Sequence, residues 1–129
     1  MQTELLPVND ESLSRAGELI RAGGLVAFPT ETVYGLGANA LDADAVRRIF
    51  EAKGRPGDNP LIVHISRVDQ LSPLITGAPS PAARALMDAC WPGPMTLIFP
   101  KSPAVPAEVT AGLDTVAVRF PVQIGRAHV

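Results

Sequence analysis

The chain has 129 residues, of which 47% are hydrophobic and 19% charged, a composition typical of a folded globular domain and not of a disordered segment. The formal net charge of −2 gives no overall attraction to nucleic acid or to an anionic membrane, so any affinity for phosphate must arise locally. The sequence shows no signal peptide and no apolar run of the ~20 residues that span a bilayer, and the single Cys90 allows no intrachain disulfide. We therefore expect a cytoplasmic protein without membrane contact.

The first third of the chain shows one helix pattern and one strand pattern. Apolar residues at helical spacing predict a helix over residues 10–22, which Asp10 caps and Gly23-Gly24 ends. The apolar run at 25–28 predicts a short buried strand. Because a proline then interrupts the run, we predict a polar loop over residues 29–37.

A second helix and a second strand follow. The helix is predicted over residues 42–53, between a capping Asp42 and a terminating Gly54. Its apolar face consists of Ala45, Val46, Ile49 and Phe50. Residues 61–65 are again almost all apolar, so they predict a buried strand.

Proline and glycine punctuate the second half of the chain. One or two helical turns are predicted between Val68 and Leu74. Ser80-Pro81 is a typical helix start, so a helix is predicted from there to about Cys90. Three of its residues are expected to face the core: Ala82, Leu86 and Ala89.

Two further strands are predicted near the end of the sequence. Residues 91–94, Trp-Pro-Gly-Pro, stop the helix, and Trp91 is expected in the core. Strands are predicted over residues 95–99 and 115–120, with a loop between them. Alternating helices and strands indicate an α/β fold, and the helix-poor segment between the last two strands suits an antiparallel pair. We therefore predict a twisted mixed sheet with flanking helices, in one domain over residues 1–122.

The loop that follows the second predicted helix brings together groups suited to a phosphate. It holds Lys53, Arg55 and Asn59 around two prolines and two glycines, which favour one fixed loop shape. Lysine offers a point charge, arginine a planar fork and asparagine both a donor and an acceptor. The alternative is a plain helix-to-strand connection, in which Lys53 only complements the negative end of its helix, by roughly 0.3–1 kcal/mol.

Three motifs in order resemble the threonylcarbamoyl-AMP synthase family, the YrdC/TsaC-type domain, from about residue 10 to residue 121. They are Leu25–Leu36, then Lys53–Pro56 with Asn59–Leu61 and His64, then Trp91–Thr96 with Val118–Pro121. The resemblance implies a YrdC-like fold around an open concave cleft with a positive floor. It also implies an enzyme that joins L-threonine, bicarbonate and ATP, with Mg²⁺, into threonylcarbamoyl-AMP and pyrophosphate. That product would serve the threonylcarbamoyladenosine modification of tRNA, together with downstream tRNA-modification proteins.

By the same resemblance, four residues hold ATP. Lys53 and Arg55 would clamp its phosphates and are the expected catalytic residues. Asn59 and Thr115 would help to position the nucleotide. The resemblance assigns no residue of this chain as a metal ligand.

The resemblance assigns L-threonine to Thr32, His64 and Arg119, with the guanidinium as a natural fork for the carboxylate. From the residues alone, Thr32 can instead hydrogen-bond within its own loop. His64 lies in an apolar strand, where a lone histidine can simply be a satisfied core residue. Arg119 alternates with Val118 and Phe120, so it points to the opposite face from them, which is either solvent or the cleft. We favour the cleft.

Two other functions fit parts of the pattern. A positive cleft can also hold the backbone of tRNA or double-stranded RNA, so a non-catalytic RNA-binding module of the same fold is the alternative. The lack of a basic excess and of interleaved aromatics speaks against it. A third interpretation is a related domain that makes a carbamoyl-adenylate inside a larger maturation enzyme.

The end of the chain departs from the family pattern. Residues 124–129 can be back-translated as ATC GGA AGA GCA CAC GTC, a common sequencing-adapter sequence, so we expect residues 123–129 to be a non-native tail. Family members continue from this point through a helix to a Ser-x-Asn loop that completes the nucleotide site. We therefore expect this chain alone to have an open sheet edge and to bind its ligands weakly or be inactive.

Overall fold

The computed structural model of the protein describes residues 3–7, 9–29, 34–54 and 59–122. Its helices are α1 (Asp10–Arg21), α2 (Ala43–Lys53), α3 (Pro81–Cys90) and α4 (Ala107–Thr110), and its strands are β1 (Val26–Pro29), β2 (Tyr34–Gly37), β3 (Ile62–His64), β4 (Thr96–Pro100) and β5 (Thr115–Arg119). Two short 3-10 turns lie between β3 and α3, at Val68–Gln70 and Ser72–Leu74. Within the described ranges, no helix is long and apolar enough to cross a membrane. The tail expected to be non-native, residues 123–129, lies outside them, so its origin stays a prediction.

Strands β3, β4 and β5 form one mixed sheet, in the order β3-β5-β4. Strand β5 runs parallel to β3 and antiparallel to β4. Strands β1 and β2 form a separate antiparallel pair. The prediction of an α/β fold with a mixed sheet and flanking helices is therefore confirmed.

One face of the mixed sheet builds the core. Val118, in β5, has no exposed surface, and its partners on the neighbouring strands, Val63 and Leu97, are also buried. Trp91, predicted in the core, is buried as well, and its indole N–H donates to the carbonyl oxygen of Met95 at 2.8 Å. Because side chains alternate along a strand, the neighbours of these strand residues lie on the opposite face of the sheet.

Capping residues explain where α1 begins and where α2 begins and ends. The cap of α1 is Asn9, one residue before the predicted Asp10: its Oδ1 accepts from the Ser12 N–H at 2.8 Å, and Ser12 Oγ accepts from the Asn9 N–H at 3.1 Å. This reciprocal pair satisfies two backbone donors, which Asp10 does not do. Asp42 caps α2 and Gly54 ends it in the left-handed conformation with φ of 64°, both as predicted.

The predicted loop over residues 29–37 is partly wrong, because its second half is strand β2. Glycine is depleted in strands, so Gly35 and Gly37 hid the pattern. The structure uses their missing side chains: Cβ atoms added at these positions would lie 3.0 Å and 2.9 Å from the ring of Phe28 in β1. The two glycines thus make room for an aromatic ring against the hairpin.

Two further expectations are wrong. The three residues of α3 expected to face the core, Ala82, Leu86 and Ala89, are exposed, and Met87 is buried instead. The helical period is right but its phase is not. Several small residues leave α3 without one clearly apolar face, and the entry of Met87 into the core sets which face is buried. Helix α4 is absent from the prediction since its 4 residues are too few to show a helical period.

Candidate functional site

A pocket of about 770 Å³ lies between the β1–β2 pair, α2 and the mixed sheet. Most of its described lining is apolar, with Phe28 of β1 and Val109 of α4 among the lining residues. Three of the lining side chains are basic: Lys53, His64 and Arg119. Among the lining residues that the structure describes, none is acidic, so the pocket favours an anionic ligand.

Strand pairing brings the predicted L-threonine residues His64 and Arg119 together. They are paired positions on the parallel strands β3 and β5, which lie about 4.8 Å apart. Val118 points to the core, so Arg119 points to the other face of the sheet, as the alternation predicts, and there it lines the pocket. Arg119 therefore lines this pocket, and its role in binding L-threonine stays a prediction.

The half-buried guanidinium of Arg119 is held by a neutral partner. Its Nε and Nη2 both donate to Oγ1 of Thr96, at 3.0 Å and 2.9 Å. In the part of the chain that the structure describes, no carboxylate forms an ion pair with it. A cation that is partly desolvated and not neutralised attracts an anionic ligand group.

The imidazole of His64 is kept neutral near pH 7. Burial lowers its pKa below the ordinary value of 6.5, the positive charge of Arg119 lowers it further, and a contact of Nδ1 with the carbonyl oxygen of Ile62 at 3.3 Å partly opposes these effects. That contact favours the tautomer with the proton on Nδ1. Nε2 is then a hydrogen-bond acceptor.

Lys53 brings a second cation to the pocket. It is the last residue of α2, exposed to solvent, and the left-handed Gly54 turns the chain directly after it. Its ammonium also lies at the negative end of the helix, as the alternative interpretation of this loop requires. Both roles are compatible, because the residue lines the pocket and ends the helix.

The other predicted site residues are not brought together in the same way. Asn59 is exposed and is not among the described lining residues of the pocket. Thr115 begins β5, four residues before Arg119 and roughly 13 Å away along the strand, and it does not line the pocket either. Thr32 and Arg55 lie outside the described residues, so their roles stay predictions.

Sequence reasoning gave no role to Thr96, although it stands inside one of the quoted motifs. A signal was present: Thr96 and Ile98 alternate with the apolar Leu97 and Phe99, which indicates that Thr96 faces away from the core. The strand register that pairs Thr96 with Arg119 could not be predicted from the sequence.

Comparison with known proteins shows the family to which the chain belongs. The Sua5/YciO/YrdC family model, described as "Telomere recombination", matches residues 18–124. The threonylcarbamoyl-AMP synthase of Pyrococcus abyssi is 63% identical over 106 residues, which are 82% of this chain and 31% of that protein. The synthase of the same name from Bacillus subtilis is 56% identical over 120 residues, or 92% of this chain and 34% of that protein.

A solved structure of P. abyssi Sua5 complexed with L-threonine matches this fold with a TM-score of 0.85 at 54% identity, over 95% of this chain and 36% of that chain. The chain thus spans about a third of the length of these relatives. The resemblance noted in the sequence is confirmed, and the chain belongs to the Sua5/YciO/YrdC family.

Proposed function

We propose that this chain forms part of an L-threonylcarbamoyladenylate synthase, a nucleotidyltransferase that joins L-threonine, bicarbonate and ATP. One observation carries the proposal: an Arg119 without a described carboxylate partner lies beside a neutral His64 in a pocket whose described lining has no acidic residue. An α-amino acid offers a carboxylate to the first group and a hydrogen-bond donor to the second. A relative of the same family is known in complex with L-threonine, which supports this choice of ligand.

In the proposed complex, L-threonine binds with its carboxylate on the guanidinium of Arg119. A charge-assisted, two-pronged contact of this kind fixes orientation as well as position. The amino or hydroxyl group then lies toward Nε2 of His64, which accepts a hydrogen bond. Thr32 is proposed to add a hydroxyl contact.

ATP is proposed to bind with its phosphates near Lys53, at the exposed end of α2. Arg55, Asn59 and Thr115 are proposed to complete the nucleotide contacts. The described residues include no group of three or more His, Cys, Asp and Glu side chains that could hold a metal ion. We therefore propose that Mg²⁺ enters as part of the ATP complex, bound by phosphate oxygens and water.

The reaction then has two steps. The threonine amine attacks the carbon of bicarbonate, and the carbamate forms with loss of water. A carbamate oxygen next attacks the α-phosphorus of ATP. The bond from this phosphorus to the oxygen that bridges it to the β-phosphorus breaks, and pyrophosphate leaves. The chain contributes by holding the carboxylate away from the reacting amine and by setting positive charge where the phosphoryl oxygens gain negative charge.

We further propose that the product serves the threonylcarbamoyladenosine modification of tRNA, with downstream tRNA-modification proteins as partners, and that the reaction takes place in the cytoplasm. The names of the relatives support the role in tRNA modification. The single Cys90 is compatible with a cytoplasmic reaction.

The RNA-binding alternative is not favoured. The described lining of the pocket offers two cations, Lys53 and Arg119, within a largely apolar surface. A duplex backbone needs an extended basic stripe.

The test is release of pyrophosphate from ATP that depends on both L-threonine and bicarbonate, with threonylcarbamoyl-AMP identified by mass spectrometry. The assay compares this chain with a chimera in which residues 3–122 replace the matching segment of the Bacillus subtilis relative. Activity of the chimera that Arg119→Ala abolishes is the expected result. A folded but inactive chimera, beside an active Bacillus subtilis protein, contradicts the proposal.

A further inference from the structure

The contact between Thr96 and Arg119 uses one particular edge of the guanidinium. A guanidinium can grip an oxyanion through its Nε/Nη2 edge or through its Nη1/Nη2 edge. Nε and Nη2 both donate to Thr96 Oγ1, at 3.0 Å and 2.9 Å. The first edge is therefore committed to the protein, and the Nη1/Nη2 edge is left for a ligand.

Thr96 makes this contact from behind the pocket. It is the direct cross-strand partner of Arg119 in the antiparallel β4–β5 pair, it is half-buried, and it is not among the described lining residues. Its β-branched side chain has few rotamers, so the position of its hydroxyl is well defined by the backbone. Any effect of Thr96 on a ligand in the pocket must therefore pass through Arg119.

A hydroxyl is also a partner that leaves the charge intact. An aspartate at this position would hold the same edge but would neutralise the guanidinium and compete with an anionic ligand. A valine would leave two N–H donors without a partner and the arginine side chain free to change rotamer. A threonine hydroxyl fixes the orientation of the Arg119 guanidinium and leaves its positive charge intact.

We propose that Thr96 is a positioning residue that locks Arg119 so that its Nη1/Nη2 edge receives the carboxylate of L-threonine. This inference rests on the proposed function for the identity of the ligand. Thr96→Val should weaken L-threonine binding by about tenfold, the loss expected for a disturbed charge-assisted hydrogen bond. Thr96→Ser retains the hydroxyl and should restore most of the affinity.

The test uses the 129-residue chain and two ligands, L-threonine and L-threoninamide, measured by calorimetry. L-Threoninamide lacks the carboxylate, so its affinity should be the same for the unmodified chain and Thr96→Val. In an Arg119→Lys background, which has no Nε/Nη2 edge, Thr96→Val should have no further effect. Thr110→Val removes an equally small hydroxyl outside the pocket and serves as the matched control.

A second readout does not depend on the ligand. The Nε–H proton of Arg119, observed by nuclear magnetic resonance, should be protected from solvent exchange in the unmodified chain and in Thr96→Ser, and should lose that protection in Thr96→Val. Should Thr96→Val fail to fold, Thr96→Asp replaces it: the Nε–H stays protected while L-threonine affinity falls, because the charge is neutralised.

Three results overturn the inference: unchanged L-threonine affinity in Thr96→Val, an equal loss for L-threoninamide, or Nε–H exchange that is the same with and without the Thr96 hydroxyl. Absence of L-threonine binding both by the unmodified chain and by the chimera with the Bacillus subtilis relative would instead contradict the proposed function. In that case the Nε–H exchange still decides whether Thr96 holds Arg119.

Discussion

His64 and Arg119 are paired positions on parallel strands, so a half-buried imidazole and a guanidinium face the same pocket. Neither side chain is placed by a loop: both are fixed by the ladder of a sheet whose opposite face is the core. Burial of the imidazole and the charge of the guanidinium both lower the pKa of His64. The pair therefore presents one positive charge, on Arg119, and one neutral hydrogen-bond acceptor, on His64.

The first prediction concerns pH. Since the pKa of His64 is lower in the folded chain than its unfolded value of about 6.5, protonation favours the unfolded chain. The stability that depends on neutral His64 should be complete above about pH 6.5 and be lost as the pH falls through the folded pKa. Urea unfolding at pH values between 5 and 8, in steps of about one pH unit, measures this. The free energy of unfolding should rise with pH in the unmodified chain and should rise less in His64→Gln.

The same prediction has a direct spectroscopic form. Titration of the His64 ring by nuclear magnetic resonance should give a pKa below about 6.5. Arg119→Met should raise that pKa, because it removes the neighbouring positive charge. A His64 pKa at or above the ordinary value, or one that Arg119→Met leaves unchanged, would contradict this account of the pair.

The second prediction separates the two cations of the pocket. Lys53→Ala should weaken ATP binding by roughly fivefold, as expected for one exposed charge, and leave L-threonine binding unchanged. Arg21→Ala is the matched control, because Arg21 is also the last residue of a helix but does not line the pocket. Both variants remove a cation from a helix end, so they should cost similar, small amounts of stability. Equal ATP binding by the two variants would leave Lys53 with its helix-end role alone.

The third prediction concerns the room that glycine leaves for Phe28. Gly37→Ala would place a Cβ atom 2.9 Å from the Phe28 ring, so the ring must move. Overpacking of this kind should destabilise the chain by about 1–3 kcal/mol. In a Phe28→Leu background the cost should shrink, because a smaller side chain relieves the clash. Chemical unfolding of the four chains measures the coupling, and full additivity would show that the ring is not the obstacle.

The fourth prediction concerns a buried hydroxyl. Among the described residues, Thr110 has a buried Oγ1 without a hydrogen-bond partner. Thr110→Val keeps the shape and removes the unsatisfied group, so it should be neutral or stabilise the chain by up to about 1 kcal/mol. Thr76→Val is the comparison, since the Thr76 hydroxyl donates to the carbonyl oxygen of Lys101 at 2.7 Å and its loss should cost about 0.5–1 kcal/mol. A larger loss of folding stability in Thr110→Val than in Thr76→Val would contradict the prediction.

The elements that could be predicted are those in which several local signals agree. For α2, the apolar period, the capping Asp42 and the left-handed Gly54 all point to the same bounds, and the helix is confirmed. Strand β2 could not be predicted, because Gly35 and Gly37 act through the space they leave for a residue on another strand. The buried face of α3 depended on the core that Met87 joins, which the sequence of the helix itself does not describe.

The site follows the same division. Alternation along β5 was enough to place Arg119 on the face opposite Val118. It could not show that His64 and Thr96 would be its two neighbours, since that requires the order and the register of three strands that are distant in sequence. Residue chemistry thus predicted the candidates, and only strand pairing showed which of them can act together.

The most direct test of the central claim is a calorimetric titration of L-threonine into this chain and into its Arg119→Ala variant, with the fold of both checked by circular dichroism. We predict saturable binding of one L-threonine per unmodified chain and its loss in the folded variant. Equal binding by the two chains, or no binding by a folded unmodified chain at millimolar L-threonine, would contradict the claim that the pocket between α2 and the mixed sheet holds L-threonine through Arg119.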